Sequence, residues 1–166
     1  MAMKVIDNLP AFQKSLKALL SKRVLVGVPA QDAARAPEEG ESAAPLTNAE
    51  IGYLMENGVP EKNIPARPHL MPGVEDAKDK IVATFKAGGE KILDGDTGAI
   101  DETLNKVGLI AQNAVRTKIT NGPFQELAEA TIENRKRRGR TGEKPLIDSG
   151  QYRAAITYVI RLNGKR

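Results

Sequence analysis

The chain has 166 residues, 40% of them hydrophobic, and a formal net charge of +4. This length fits one domain over residues 1–166, because a second independent core would leave each half marginal. The absence of cysteine excludes disulfides, thiolate nucleophiles and cysteine-based zinc sites, and no apolar run approaches the roughly 20 residues that span a bilayer. We therefore expect a soluble protein with no membrane contact, suited to folding in a bacterial cytoplasm.

The first predicted element is an amphipathic helix that begins at Leu9. Its apolar residues recur on one helical face, and they are Phe12, Leu16, Leu19 and Leu20. The alternating β-branched residues of 23–28 predict a strand, for which residues 3–6 are a candidate partner. Residues 29–45 lack periodicity and are rich in Pro, Gly, Ala and Glu, a composition that predicts a mobile loop.

A capping box predicts a short helix after this loop. The Thr47 hydroxyl can accept a hydrogen bond from the backbone N–H of Glu50, while the Glu50 carboxylate reaches back to Thr47. Ile51, Leu54 and Met55 supply the apolar face of the helix, and Asn57-Gly58 ends it.

Two longer helices follow along the chain. Apolar spacing predicts one over 74–92, with a bend or a break at Gly88-Gly89 because each glycine costs about 1 kcal/mol relative to alanine. The next is predicted over 100–121, and the two are expected to form an antiparallel pair. A third, more polar helix is predicted over 124–138.

The chain closes with a predicted strand over 156–161, where apolar and polar residues alternate. A single helical turn is expected at 151–155, capped by Asp148 or Ser149. Strands at both ends with helices between them predict an α+β fold. We expect a small antiparallel sheet of the N- and C-terminal strands, packed with several helices.

A proline-rich segment, residues 63–72, is the first candidate functional segment. Its prolines fix φ and hold the residues before them extended. Arg67 stands between Pro65 and Pro68, on a backbone with little freedom, and is well placed for a bidentate contact to a carboxylate or a backbone carbonyl. The segment also suits a simple rigid connector between two helices, and we favour that structural interpretation.

A run of cations is the second candidate, with five basic residues in six positions: Arg135, Lys136, Arg137, Arg138 and Arg140. Such a run attracts phosphates without reading sequence. It is equally typical of a solvated helix end, where cations complement the helix dipole. No aromatic residue interleaves with it, so backbone electrostatics is the only nucleic-acid mode that it supports.

Residues 144–161 are the third candidate, and they contain Asp148-Ser149-Gly150. A nucleophile site is disfavoured there, because the chain's single histidine, His69, lies in the proline segment and no nucleophile-elbow spacing appears. One histidine without cysteine or paired acids does not complete a transition-metal site. We therefore assign no catalytic residue, no metal and no cofactor, and expect a protein that is not an enzyme.

The order of several short segments is more informative than any one of them. It resembles the tail-completion (neck) family of tailed phages and the related Mu-like virion morphogenesis proteins. The segments are 24–29 (Val-Leu-Val-Gly-Val-Pro), 46–50 (Leu-Thr-Asn-Ala-Glu), 56–58 (Glu-Asn-Gly), 64–68 (Ile-Pro-Ala-Arg-Pro) and 145–150 (Pro-Leu-Ile-Asp-Ser-Gly). The chain departs mildly from that pattern at His69, where Phe is usual, and at Ser149, where Thr is common.

This resemblance implies a structural virion protein at the head–tail junction, assembled in the cytoplasm of the bacterial host. Its expected partners are copies of itself in a ring of about six, a head-side connector or stopper protein, and a tail terminator or tail tube protein. The five cations of the run at 135–140 are expected to face the DNA channel, with its packaged double-stranded DNA, or an acidic neighbour. Six residues are expected to act as structural anchors or interface residues: Ile64, Pro65, Arg67, Pro68, Leu146 and Asp148.

The main alternative is a small basic nucleic-acid-binding protein, which the cationic run supports. An enzyme ranks third, because no nucleophile, base and orienting group converge in the sequence pattern. A salt-dependent shift of duplex DNA by the isolated chain would favour the alternative.

Overall fold

The computed structural model describes residues 9–37 and 45–164, and it has an α+β fold, as predicted. Within these residues, seven helices and two strands follow in the order α1 Leu9–Leu20, β1 Lys22–Gly27, α2 Asn48–Asn57, α3 Leu70–Asp76, α4 Lys78–Leu93, α5 Ala99–Asn121, α6 Glu129–Arg137, α7 Gln151–Ala155 and β2 Thr157–Leu162. Two single 3₁₀ turns lie at Ala30–Asp32 and Pro60–Lys62.

The two strands form an antiparallel sheet, so the predicted pairing of the N-terminal and C-terminal strands is confirmed. The register runs from Lys22 opposite Leu162 to Gly27 opposite Thr157. Val24 and its partner Ile160 point inward, against a cluster that includes Leu104 of α5. The candidate strand at residues 3–6 lies outside the described residues.

Helix α5 runs through the core and packs against α3, α4 and both strands. Its N-terminal half buries Ile100 and Leu104 beside α1 and the sheet. Its C-terminal half buries Val115 and Ile119 beside α2, α3 and α7. One long helix therefore joins the two hydrophobic clusters.

Helices α4 and α5 pack together as the predicted pair, but no break occurs at Gly88-Gly89. α4 continues through both glycines, and the interruption falls at Ala77, between α3 and α4. A Cβ built on Gly88 would lie 2.0 Å from Oγ1 of Thr103 in α5, whereas one on Gly89 meets nothing within 4 Å. Gly88 therefore serves the close approach of two helices.

The capping box of α2 is present as predicted, with the Thr47 side chain accepting from the Glu50 N–H and the Glu50 carboxylate accepting from the Thr47 N–H. Upstream of it, the predicted loop 29–45 makes specific contacts. The Asn48 N–H donates to the Ala33 carbonyl (2.7 Å), and the Ala36 N–H donates to Oε1 of Gln151 (2.9 Å). Residues 38–44 of that loop lie outside the described residues.

The helix predicted over 124–138 begins only at Glu129, so its first part is wrong. α5 ends at Asn121 and is followed by Gly122, whose backbone is extended. The carbonyls of Gln125 and Glu126 accept hydrogen bonds from Arg67. A tertiary contact thus holds this stretch out of the helix. α7 is present at Gln151–Ala155, but Gly150 is its N-cap and no side-chain cap forms.

Candidate functional site

The proline segment and the C-terminal Asp-Ser-Gly stretch meet at His69 and Tyr152, although 83 positions separate the two residues. His69 is fully buried. Its Nδ1 lies 2.7 Å from the carbonyl oxygen of Arg67, and its Nε2 contacts the Tyr152 hydroxyl. Because a carbonyl only accepts, Nδ1 carries a proton, and in the neutral imidazole Nε2 accepts from the tyrosine hydroxyl. Both ring nitrogens therefore have hydrogen-bond partners.

Glu56, near the end of α2, holds this histidine from the other side. Its Oε2 accepts from the backbone N–H groups of His69 (2.8 Å) and Leu70 (3.0 Å) and lies 3.2 Å from Nδ1 of His69. Burial lowers the pKa of His69, although the Arg67 carbonyl and the Glu56 carboxylate favour its charged form. Burial also raises the pKa of Tyr152. Both rings therefore remain uncharged at neutral pH.

Arg67 ties the proline segment to the stretch that precedes α6. Its Nε donates to the Gln125 carbonyl (3.1 Å) and its Nη2 to the Glu126 carbonyl (3.2 Å). Its own N–H donates to the Met55 carbonyl at the end of α2 (2.7 Å). The side chain is buried, and burial, with the nearby Arg135 guanidinium, lowers its pKa. Arg67 thus joins three chain segments through main-chain groups.

Arg135 performs the same task for the loop after α6. Its Nη1 lies within hydrogen-bond distance of three carbonyls, those of Gly142 (2.9 Å), Lys144 (2.9 Å) and Ile147 (3.0 Å). Its Nε lies 3.3 Å from Asp148, whose other oxygen pairs with Arg140. Two cations of the basic run therefore organise residues 142–148.

The structure corrects the role expected for Arg135, which is buried and cannot face a channel or a neighbouring protein. Lys136, Arg137 and Arg138 are exposed, and Arg140 is partly buried. The basic run is thus two groups, one inside the fold and one on its surface. Because the residues of the run are nearly all basic, their sequence does not indicate which of them are buried and which are exposed.

The other expected anchors also lie in this region. Ile64 forms a β-bridge with Val59, and Leu146 is buried in the core cluster with Ile119. Pro65 lines a groove of about 520 Å³ together with Arg67 and other residues, which include Leu127, Arg135 and Pro145. Pro68 is exposed and lies between the buried Arg67 and His69.

Sequence reasoning did not select Glu56 or Tyr152 as members of this junction. Glu56 opens the Glu-Asn-Gly segment and Tyr152 lies within the third candidate segment, 144–161, but no spacing rule links residues so far apart. The junction's polar groups bind one another and main-chain carbonyls. Such an arrangement fixes the relative positions of α2, the proline segment, the start of α6 and α7.

In the part of the chain that the structure describes, no three His, Asp or Glu side chains gather as a metal site would require. The helices of residues 9–37 and 45–164 include none whose length and apolar content would carry it through a bilayer. Comparisons with family models, with curated proteins and with solved structures find no match to this chain.

Proposed function

We propose that the chain is a structural virion protein at the head–tail junction of a tailed phage, where it completes the tail and joins it to the head connector within a ring around the DNA channel. The order of its short segments, which resembles the neck family, supports the choice of this assembly. The observation that carries an assembly role is an exposed apolar row on α1.

This row consists of Leu9, Phe12, Leu16 and Leu20, which are 58%, 37%, 42% and 66% exposed. Residues three or four positions apart lie on one side of a helix, so the four form one stripe. The stripe is not the face that packs on the protein body, because that contact uses Ser15, Ala18 and Leu19. Apolar rows left in water are typical of surfaces that a partner covers.

The junction described above supports the same role. Its motif residues hold chain segments together, which is what a subunit under mechanical load in a particle requires. In a ring of about six copies, a net charge of +4 per chain would sum to on the order of +24 around one axis. Such a field suits a passage for double-stranded DNA.

Deletion of the coding sequence from the phage genome that carries it tests the proposal. We expect electron micrographs of the lysate to contain DNA-filled heads and separate tails, with joined particles restored by supplying the chain in trans. Leu16→Asp should fail to restore them, whereas Gln13→Asp, an equal charge change on the same helix, should succeed. Joined, infectious particles from the deletion strain would refute the proposal.

The alternative, a small basic nucleic-acid-binding protein, is favoured by the exposed Lys136, Arg137 and Arg138 near the end of α6. It predicts tight, salt-dependent binding of duplex DNA by the isolated chain. It also predicts that deletion leaves particle assembly unchanged, so the same experiment separates the two functions.

A further inference from the structure

We infer that the outer face of the β1–β2 sheet binds the phosphate backbone of duplex DNA through Arg23 and Arg161. The inference rests on the proposed function for its biological setting, a ring around a DNA channel. Its evidence is the geometry and charge of the sheet itself.

The register of the sheet places the two arginines directly opposite each other, and residues directly opposite across an antiparallel pair share a face. Val24 and Ile160 point into the core, so the pair on either side of them points out. The next outward pair toward the other end of the sheet is Leu25 and Val159. Arg23 and Arg161 are both exposed.

The charge of this pair is not compensated by the described part of the chain. Over residues 9–37 and 45–164, neither guanidinium has a hydrogen bond or an ion pair, whereas the adjacent Lys22 pairs with Asp101. Like charges directly opposite on a sheet destabilise it. The repulsion between the two guanidinium groups destabilises the free protein, and it decreases when an anion binds between them.

The chemistry of the face favours DNA phosphate as that anion. Arginine presents a planar fork that matches phosphate oxygens, and a two-stranded ribbon is narrow enough to enter the major groove. The outward residues beside the arginines, Leu25 and Val159, have no side-chain hydrogen-bonding groups with which to read base edges. Contact would therefore be independent of sequence, as packaged DNA of any sequence requires.

This face replaces the buried half of the basic run as the expected DNA contact. Arg135 and Arg140 are engaged with carbonyls and with Asp148, so they are not available to phosphates. Arg23 and Arg161 come from opposite ends of the chain, and only strand pairing brings them together.

The test compares two double variants that remove the same charge. Binding of a fluorescently labelled duplex DNA is measured by anisotropy over a salt series, for wild type, Arg23→Ala/Arg161→Ala and Lys136→Ala/Arg137→Ala. We expect the sheet variant to lower the slope of log K against log salt by about two, equally for two unrelated DNA sequences. The variant near the end of α6 should keep the wild-type slope.

Two further measurements complete the design. Arg23→Lys/Arg161→Lys should restore the slope, and thermal unfolding should place the alanine double variant at or above the wild-type Tm, since it removes a like-charge pair. An unchanged slope would overturn the inference, and so would an equal loss in both double variants, which would indicate net charge alone. Binding of poly-L-glutamate that is lost in the same way would assign the face to an acidic protein instead. A negative result in this DNA-binding experiment would leave the outcome of the deletion experiment on particle assembly unaffected.

Discussion

Replacing Arg135 with alanine is expected to destabilise the protein by releasing the loop at 142–148. In the folded protein the guanidinium Nη1 contacts three carbonyls, those of Gly142, Lys144 and Ile147. The alanine variant leaves these carbonyls without their donor in a region that the arginine shields from water.

The size of the decrease in the free energy of unfolding follows from the number of hydrogens that Nη1 of Arg135 can donate. Nη1 carries two, so two full hydrogen bonds from a charged donor are lost, at about 1.5 kcal/mol each or somewhat more. The contact to Asp148 adds little, because that side chain is 37% exposed and keeps Arg140 as a partner. We expect a decrease of about 3 kcal/mol in the free energy of unfolding, a large part of the roughly 5–15 kcal/mol typical of a domain.

Urea unfolding followed by circular dichroism measures this change as a shift of the midpoint at constant m-value. Arg137→Ala is the matched control, because it removes the same side chain from the exposed side of the same helix. It should change stability by no more than about 0.5 kcal/mol. Equal midpoints for Arg135→Ala and Arg137→Ala would refute the structural role of Arg135.

Four further predictions concern the junction and the α4–α5 contact. Burial lowers the pKa of His69, so as the pH falls the histidine of the unfolded chain binds a proton before that of the folded protein. The free energy of unfolding should therefore decrease as the pH falls below about 6.5. A urea midpoint that does not change between about pH 5 and about pH 8 would contradict this. His69→Phe and Tyr152→Phe should each cost about 1–3 kcal/mol by leaving a buried polar partner, and the double variant should cost less than their sum; additive losses would exclude the coupling. Arg67→Ala should cost about 3 kcal/mol in the same assay, with Arg67→Lys recovering part of the loss. Gly88→Ala should destabilise by about 1–3 kcal/mol through its clash with α5, whereas Gly89→Ala should raise stability by about 0.5–1 kcal/mol; equal midpoints would contradict the packing argument.

The sequence by itself determined the elements whose signals are local. The capping box of Thr47 and Glu50 located the start of α2, because the bonds that make it span only three positions. Apolar spacing located α1 and α5, and alternation located both strands. These patterns also predicted the α+β class, since predicted strands flank a run of predicted helices.

Part of the candidate site was also predictable. The prolines around Arg67 indicated a rigid backbone and an anchoring contact, which are local properties. The partner was not predictable, because the carbonyls of Gln125 and Glu126 lie far along the chain and depend on how α5 directs it.

Only the tertiary structure decided which polar groups are inside. Arg135 and Arg137 stand in one cationic run, yet one is buried and the other exposed, because burial depends on the path of the loop that returns at 142–148. The sequence predicts that Phe12, Leu16, Leu19 and Leu20 share one face of α1. In the structure Leu19 packs on the protein body while the other three are exposed, because that division depends on which side of α1 meets the sheet. Burial is a property of segments brought together from distant positions, and the spacing of residues along one segment does not contain it.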